Sequence, residues 1–93
     1  MKRELLPSAA FMRMSRRLSK KRPGDAEDLL AAMELMTEDI FHPALRTHKL
    51  KGKLAASWAC SAGYDLRIVF KLVSHKGHEA ILLEAVGMHD EVY

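Results

Sequence analysis

Leu66-Arg67-Ile68-Val69-Phe70-Lys71-Leu72-Val73 sets one apolar face against one mixed face. Leu66, Ile68, Phe70 and Leu72 fall on one side, and Arg67, Val69, Lys71 and Val73 on the other. Side chains along a strand point alternately to its two faces, so a period of two predicts a β-strand with one side against a core. C-terminal to it, residues 79–86 are apolar on both faces and read as a central strand. The polar stretch 74–78 reads as the loop between them. N-terminal to it, residues 54–61 read as another strand, broken by Ala62-Gly63, and residues 46–50 as a short one ended by Lys51-Gly52. Connections this short favour antiparallel pairing.

The period changes in the first half. Residues 3–7 read as a short strand stopped by Pro7, after which Ser8 is a good helix N-cap. Phe11, Met14 or Ser15, and Leu18 recur at helical spacing, with Arg13, Arg16, Arg17, Lys20 and Lys21 on the remaining faces. Pro23-Gly24 breaks this helix, and Asp25 is placed to cap a second. The second helix carries Ala26, Leu29, Leu30, Met33, Met36 and Ile40 as its apolar stripe and ends before Pro43. The expectation is one α+β domain over residues 1–93: an N-terminal strand and a helical hairpin packed on a four-stranded, mainly antiparallel sheet.

Ninety-three residues suffice for one modest core, and 48% hydrophobic content argues for a globular chain. No apolar run is long enough for a membrane span, and the N-terminus lacks the apolar stretch of a signal peptide. The single cysteine, Cys60, excludes an internal disulfide and the usual structural zinc patterns, and fits a reducing, cytoplasmic setting. Formal charge is strongly segregated: +7 over residues 1–22, −6 over 23–41, +4 over 42–53 and −2 over 54–93. A basic surface beside an acidic helix points to a polyanion on one side and leaves room for a basic partner on the other.

Several polar groups flank the strands. Asp65 and Arg67 are two apart and would share the mixed face of the strongest strand. Arg67 can hold a phosphate through its planar fork of donors, and Asp65 can orient a neighbour; a surface ion pair is the plainer reading of the two. His48 lies among Arg46, Lys49, Lys51 and Lys53. A neutral imidazole there can accept a proton, and the four cations can bind an RNA backbone; a solvated basic turn has the same composition. His89 follows a strand and Gly87, in the kind of strand-end position where catalytic groups concentrate, although a frayed polar terminus reads the same way. His75 and His78 form a His-x-x-His pair in a glycine-containing loop with no third ligand except Glu79, so no metal site is expected. Trp58 reads as an anchor between sheet and helix.

Taken together, His42-Pro-Ala-Leu-Arg-Thr-His-Lys-Leu-Lys-Gly52, Gly63-Tyr-Asp-Leu-Arg-Ile-Val-Phe70 and Gly87-Met-His-Asp-Glu-Val-Tyr93 resemble the RelE/ParE superfamily of bacterial toxins. The nearest match is the RelE/StbE branch with its YafQ-like members, over nearly the whole chain. The resemblance implies a RelE-like toxin of a type II toxin–antitoxin system, a cytoplasmic mRNA interferase. It implies an endoribonuclease that needs no metal or cofactor and works on mRNA, in many members on the ribosome. It implies a cognate antitoxin, with a monomer or dimer when free and a hetero-oligomer when neutralised. By the same resemblance His89 corresponds to a general acid, His48 to a second acid–base histidine, Asp65 to the strand aspartate, Arg67 to a strand arginine and Tyr93 to a terminal aromatic residue. YafQ-like toxins carry a tryptophan where this chain has Leu66, and a histidine in the region of Cys60 to Gly63. The alternative within the superfamily is a ParE-type toxin that binds DNA gyrase, or a catalytically weakened antitoxin-binding module.

Overall fold

The structure, a computed structural model, describes residues 2–92. In chain order its elements are β1 (Glu4–Pro7), α1 (Ala9–Lys21), α2 (Pro23–Glu38), β2 (His48–Lys49), β3 (Trp58–Ala62), β4 (Leu66–His75), β5 (His78–Met88) and α3 (His89–Val92). Single 3₁₀ turns at Pro43–Leu45 and Gly52–Leu54 flank β2. The strands form one sheet in the order β1-β5-β4-β3-β2. The α+β architecture expected from the pattern is present, with one correction: the sheet has five strands. β1 joins it by pairing parallel to β5, from Glu4↔Ala80 to Pro7↔Leu83, whereas the other pairings are antiparallel. A short connection can only make an antiparallel hairpin, so α1 to β4 supply the long crossover that a parallel neighbour requires.

The alternation in β4 sorts as expected. Leu66, Ile68 and Phe70 are fully buried and meet Phe11 and Leu18 of α1, Leu29, Ala32 and Met36 of α2, and Ile81, Leu83 and Val86 of β5. Burying a large aliphatic or aromatic side chain contributes about 1.5–3 kcal/mol, so this helix-covered side of the sheet dominates stability. Ser8 caps α1, its Oγ accepting from the Phe11 N–H at 3.0 Å. The start of α2 differs from expectation. Pro23 occupies its first turn, where a missing N–H costs nothing, and Arg22 is the N-cap. Asp25 instead is the third residue of that first turn and pairs with Arg22 at 3.0 Å. The helix stops at Glu38, so Ile40 reaches the core from the following loop, while Leu30 turns outward and Ala32 takes an inward position.

β4 and β5 run further than the sequence suggested. Only Lys76 and Gly77 separate them, both with positive φ (52° and 80°), the geometry that matches a two-residue turn to the twist of a hairpin. At the other end the pairing runs to Leu66↔Met88, which keeps Gly87 inside the strand. The register shifts once: Val69 pairs with Ala85 and Phe70 with Leu83, leaving Glu84 as the extra residue of a β-bulge.

Candidate functional site on the open face of the sheet

The sheet face opposite α1 and α2 carries the candidate chemistry. Its floor is made of small or short side chains: Ala59 on β3, Val69 on β4, and Ala85 and Gly87 on β5. Around that floor stand His48, Arg67 and Lys71, with Ser61 directly across from Arg67.

Arg67 is half-buried, between Ser61 on β3 and Gly87 on β5. Its guanidinium donates to the carbonyls of Leu66 (2.8 Å) and Tyr64 (3.3 Å), which fixes it at the end of the β3–β4 hairpin. Both bonds use one terminal nitrogen, so the other N–H groups of the fork can meet an anion. Asp65 is not on β4, which corrects the expectation that it alternates with Arg67 along one strand. The hairpin closes at Ala62↔Leu66, and residues 63–65 form its turn. Gly63 adopts φ 68°, and a Cβ there would stand 2.5 Å from Asp28 Oδ2. Both features favour glycine and lift Asp65 out of the ladder into an exposed position.

His89 is the next residue after the last β4–β5 pair on β5, and Asp65 is the residue just before that pair on β4. The two therefore sit side by side at one end of the sheet, with Arg67 one position inward. His89 is exposed and begins α3 rather than a free tail. Tyr93 lies outside the described residues.

His48 shares the face but stands further away. It pairs with Ala59, which pairs with Val69, two residues from Arg67. Two strand spacings and one two-residue step put its Cα about 12 Å from that of Arg67. Arg46 has the left-handed φ of 51°, uncommon outside glycine, and its carbonyl meets His48 Nδ1 at 2.9 Å. A carbonyl only accepts, so Nδ1 carries the proton and Nε2 of the neutral ring is the bare nitrogen. Lys49 points to the opposite face, its ammonium 5.8 Å from the Trp58 ring. Trp58 packs against the core cluster and is also edge-to-face with Phe41 at 5.6 Å, so it anchors the loop after α2 as well. Arg46, Lys51 and Lys53 are exposed around β2.

Two departures from the YafQ-like pattern have physical counterparts. Leu66 is buried in the core, and Ser61 occupies the open-face position across from Arg67. Its neighbour Cys60 faces the core; burial pushes its thiol up to about 12, and the Arg67 charge offsets only part of that.

The sequence pattern did not reveal a second polar group on this face. Ser57 Oγ donates to Glu84 Oε1 at 2.7 Å, and Lys71 Nζ lies 3.4 Å from Glu84 Oε2. Lys71 was visible as a member of the mixed face. Glu84 was not, because only the bulge turns it to this side.

A hollow of about 470 Å³ lies elsewhere, beside the β4–β5 turn, among Arg3, Glu4, His75, Lys76, His78 and Glu79. Its charges are largely matched, Arg3 with Glu79 at 2.8 Å and His75 with Glu4 at 3.9 Å. A smaller groove of about 150 Å³ runs between α1 and β5 and reaches Gly87, with Arg17, Lys21 and Arg22 along it. It links the basic face of α1 to the end of the sheet that bears Arg67 and His89. An open face with a basic approach suits a polymer better than a small molecule enclosed in a cavity.

No family model matches the sequence, and no curated protein matches it. Solved structures do match the fold. YafQ from E. coli strain BL21(DE3) is similar at TM-score 0.77 and 18% identity, covering 99% of this chain and 99% of that one. A YoeB/ParE toxin from Agrobacterium tumefaciens is similar at TM-score 0.77 and 13% identity, covering 92% of this chain and 98% of its own. A chain of the E. coli DinJ-YafQ toxin–antitoxin complex is similar at TM-score 0.75 and 19% identity, covering 100% and 99%. The chain has the RelE/YafQ-like toxin fold.

Proposed function

We propose that the chain is the toxin of a type II toxin–antitoxin pair and acts as an endoribonuclease on mRNA in the cytoplasm, on the ribosome. The observation that carries this reading is the grouping of Arg67, Asp65 and His89 at one end of the open face, with His48 on the same face. The likeness in fold to YafQ and to its antitoxin complex supports the toxin class and an antitoxin partner.

In the proposed reaction the 2′-oxygen of one nucleotide attacks the adjacent phosphorus. The P–O2′ bond forms as the P–O5′ bond breaks, leaving a 2′,3′-cyclic phosphate and a 5′-hydroxyl. The 2′-OH proton passes through water to His48 Nε2, which stands further along the face, and His89 gives a proton to the departing O5′. Arg67 stabilises the charge that builds on the phosphorane oxygens, where preorganised donors contribute most. Asp65 orients His89 or Arg67, and Tyr93 contacts the substrate. Arg46, Lys51 and Lys53 hold flanking phosphates, with Lys49 at the margin of the same basic segment.

His89→Ala tests the reading directly. Purified protein added to ribosomes translating a defined mRNA should yield cyclic-phosphate ends, and the variant should cut about 10²–10⁴-fold more slowly. Equal rates for the two proteins would remove His89 from the mechanism. Intact RNA with unaltered wild-type protein would remove the nuclease.

A further inference from the structure

The cluster of Ser57, Lys71 and Glu84 has no part in the reaction above. It lies on the same side of the sheet, with Lys71 on β4, Glu84 on β5 and Ser57 just before β3. Lys71 is four residues along β4 from Arg67, about 13 Å of strand. That is the scale of one extended nucleotide from its phosphate to the far edge of its base. Small residues, Val69 and Ala85, separate the two positions.

The charges within the cluster decide what it can hold. Glu84 accepts from Ser57 through one oxygen and pairs with Lys71 through the other. A phosphate placed there would face the Glu84 carboxylate as well as the Lys71 ammonium, so the pair attracts an anion poorly. A fixed acceptor beside a fixed donor suits the edge of a base instead. Unstacked RNA bases are read in this way, on edges that offer donors and acceptors together. Ser57 is buried, and the Glu84 and Lys71 side chains retain 29% and 40% of their exposure, so the cluster is both held and reachable. The bulge is what brings Glu84 to this face, and bulges commonly re-aim a side chain beside a functional site.

We propose that Glu84 and Lys71, braced by Ser57, form a base-recognition subsite for a guanine next to the cleaved phosphodiester. The subsite rests on the nuclease reading for its place in a reaction. Guanine sets two N–H groups, N1 and N2, abreast for a carboxylate, with the O6 acceptor beside them for the ammonium. Uracil would turn a carbonyl toward the carboxylate on one side. Adenine and cytosine offer an amino donor beside a ring-nitrogen acceptor, so they engage the pair through fewer bonds.

The test uses the whole protein and uncleavable 2′-O-methyl oligonucleotides, identical except for guanine, inosine, adenine, cytosine or uracil at one position scanned along the strand. Inosine is guanine without the N2 amino group. Binding should be about 5–100-fold tighter with guanine than with uracil at one position, and weaker with inosine than with guanine. Glu84→Gln, which keeps shape but not charge, should abolish the guanine–inosine difference, and Lys71→Met should reduce the preference against the other bases. Equal affinity for guanine and inosine at every position overturns the subsite, as does a preference that Glu84→Gln leaves intact. A preference for adenine or cytosine over guanine overturns it too. Cleavage of ordinary RNA, measured separately, reports on the nuclease reading, so the two ideas can fail independently.

Discussion

The two sides of β4 divide the molecule's stability from its candidate chemistry. On one side Leu66, Ile68 and Phe70 are sealed under α1 and α2. On the other, half-buried Arg67 and Lys71 flank a floor of small residues. Eight residues of one strand thus carry both the core and the candidate chemistry, kept apart only by the direction of each side chain. Changes on the first side should act on stability and changes on the second on activity, with little exchange between them.

Phe70→Ala should break the covered side most severely. Removing a fully buried phenyl ring costs about 3–5 kcal/mol, read as a drop in the urea midpoint, while any molecule that remains folded keeps its cleavage rate. Arg67→Ala tests the open side. Cleavage should fall about 10²–10³-fold, the usual cost of losing one donor to a developing oxyanion, with unfolding free energy changed by less than about 1 kcal/mol. A large stability loss without a rate effect would make Arg67 a structural residue. The smallest effect belongs to adjacent β3 residues that face opposite ways. Cys60, on the core side, is raised from 9.0 to about 12 by burial. Between those values the unfolded chain loses a thiol proton that the folded chain keeps, so stability falls as pH rises above 9. Cys60→Ala should flatten that slope in unfolding measurements at pH 8–10.5, and Ser61→Ala should leave it unchanged. The native thiol should also resist alkylation at pH 8 and react once urea unfolds the chain.

Much of this division was legible before any coordinates. The alternation from Leu66 to Val73 assigned each residue its side, and Ser8 announced the first helix through its side-chain oxygen. The rest depended on contacts between distant segments, which local patterns do not encode. β1 looked like a lone strand because its partner lies 76 positions away, at Ala80 to Leu83. Asp65 looked like a strand residue because the turn that displaces it is set by Gly63 against Asp28 of α2. Glu84 was hidden for a related reason. Strict alternation would put it on the same side as Val86, and only one extra residue in the ladder reverses that. His48 and His89 were singled out by residue type and resemblance, but the intervening strand β3 that separates His48 from Arg67 follows from sheet order alone.

The parallel pairing of Glu4–Pro7 with Ala80–Leu83 also sets a timetable. Ser8 donates its hydroxyl proton to the Glu84 carbonyl at 3.2 Å, tying the first helix to the bulge. Contacts of such long sequence separation form late. During synthesis β1 emerges before its neighbour and must wait until Ala80 to Leu83 have been made. A nascent chain that stops short of β5 therefore lacks both the completed ladder and the aligned end bearing Arg67 and His89.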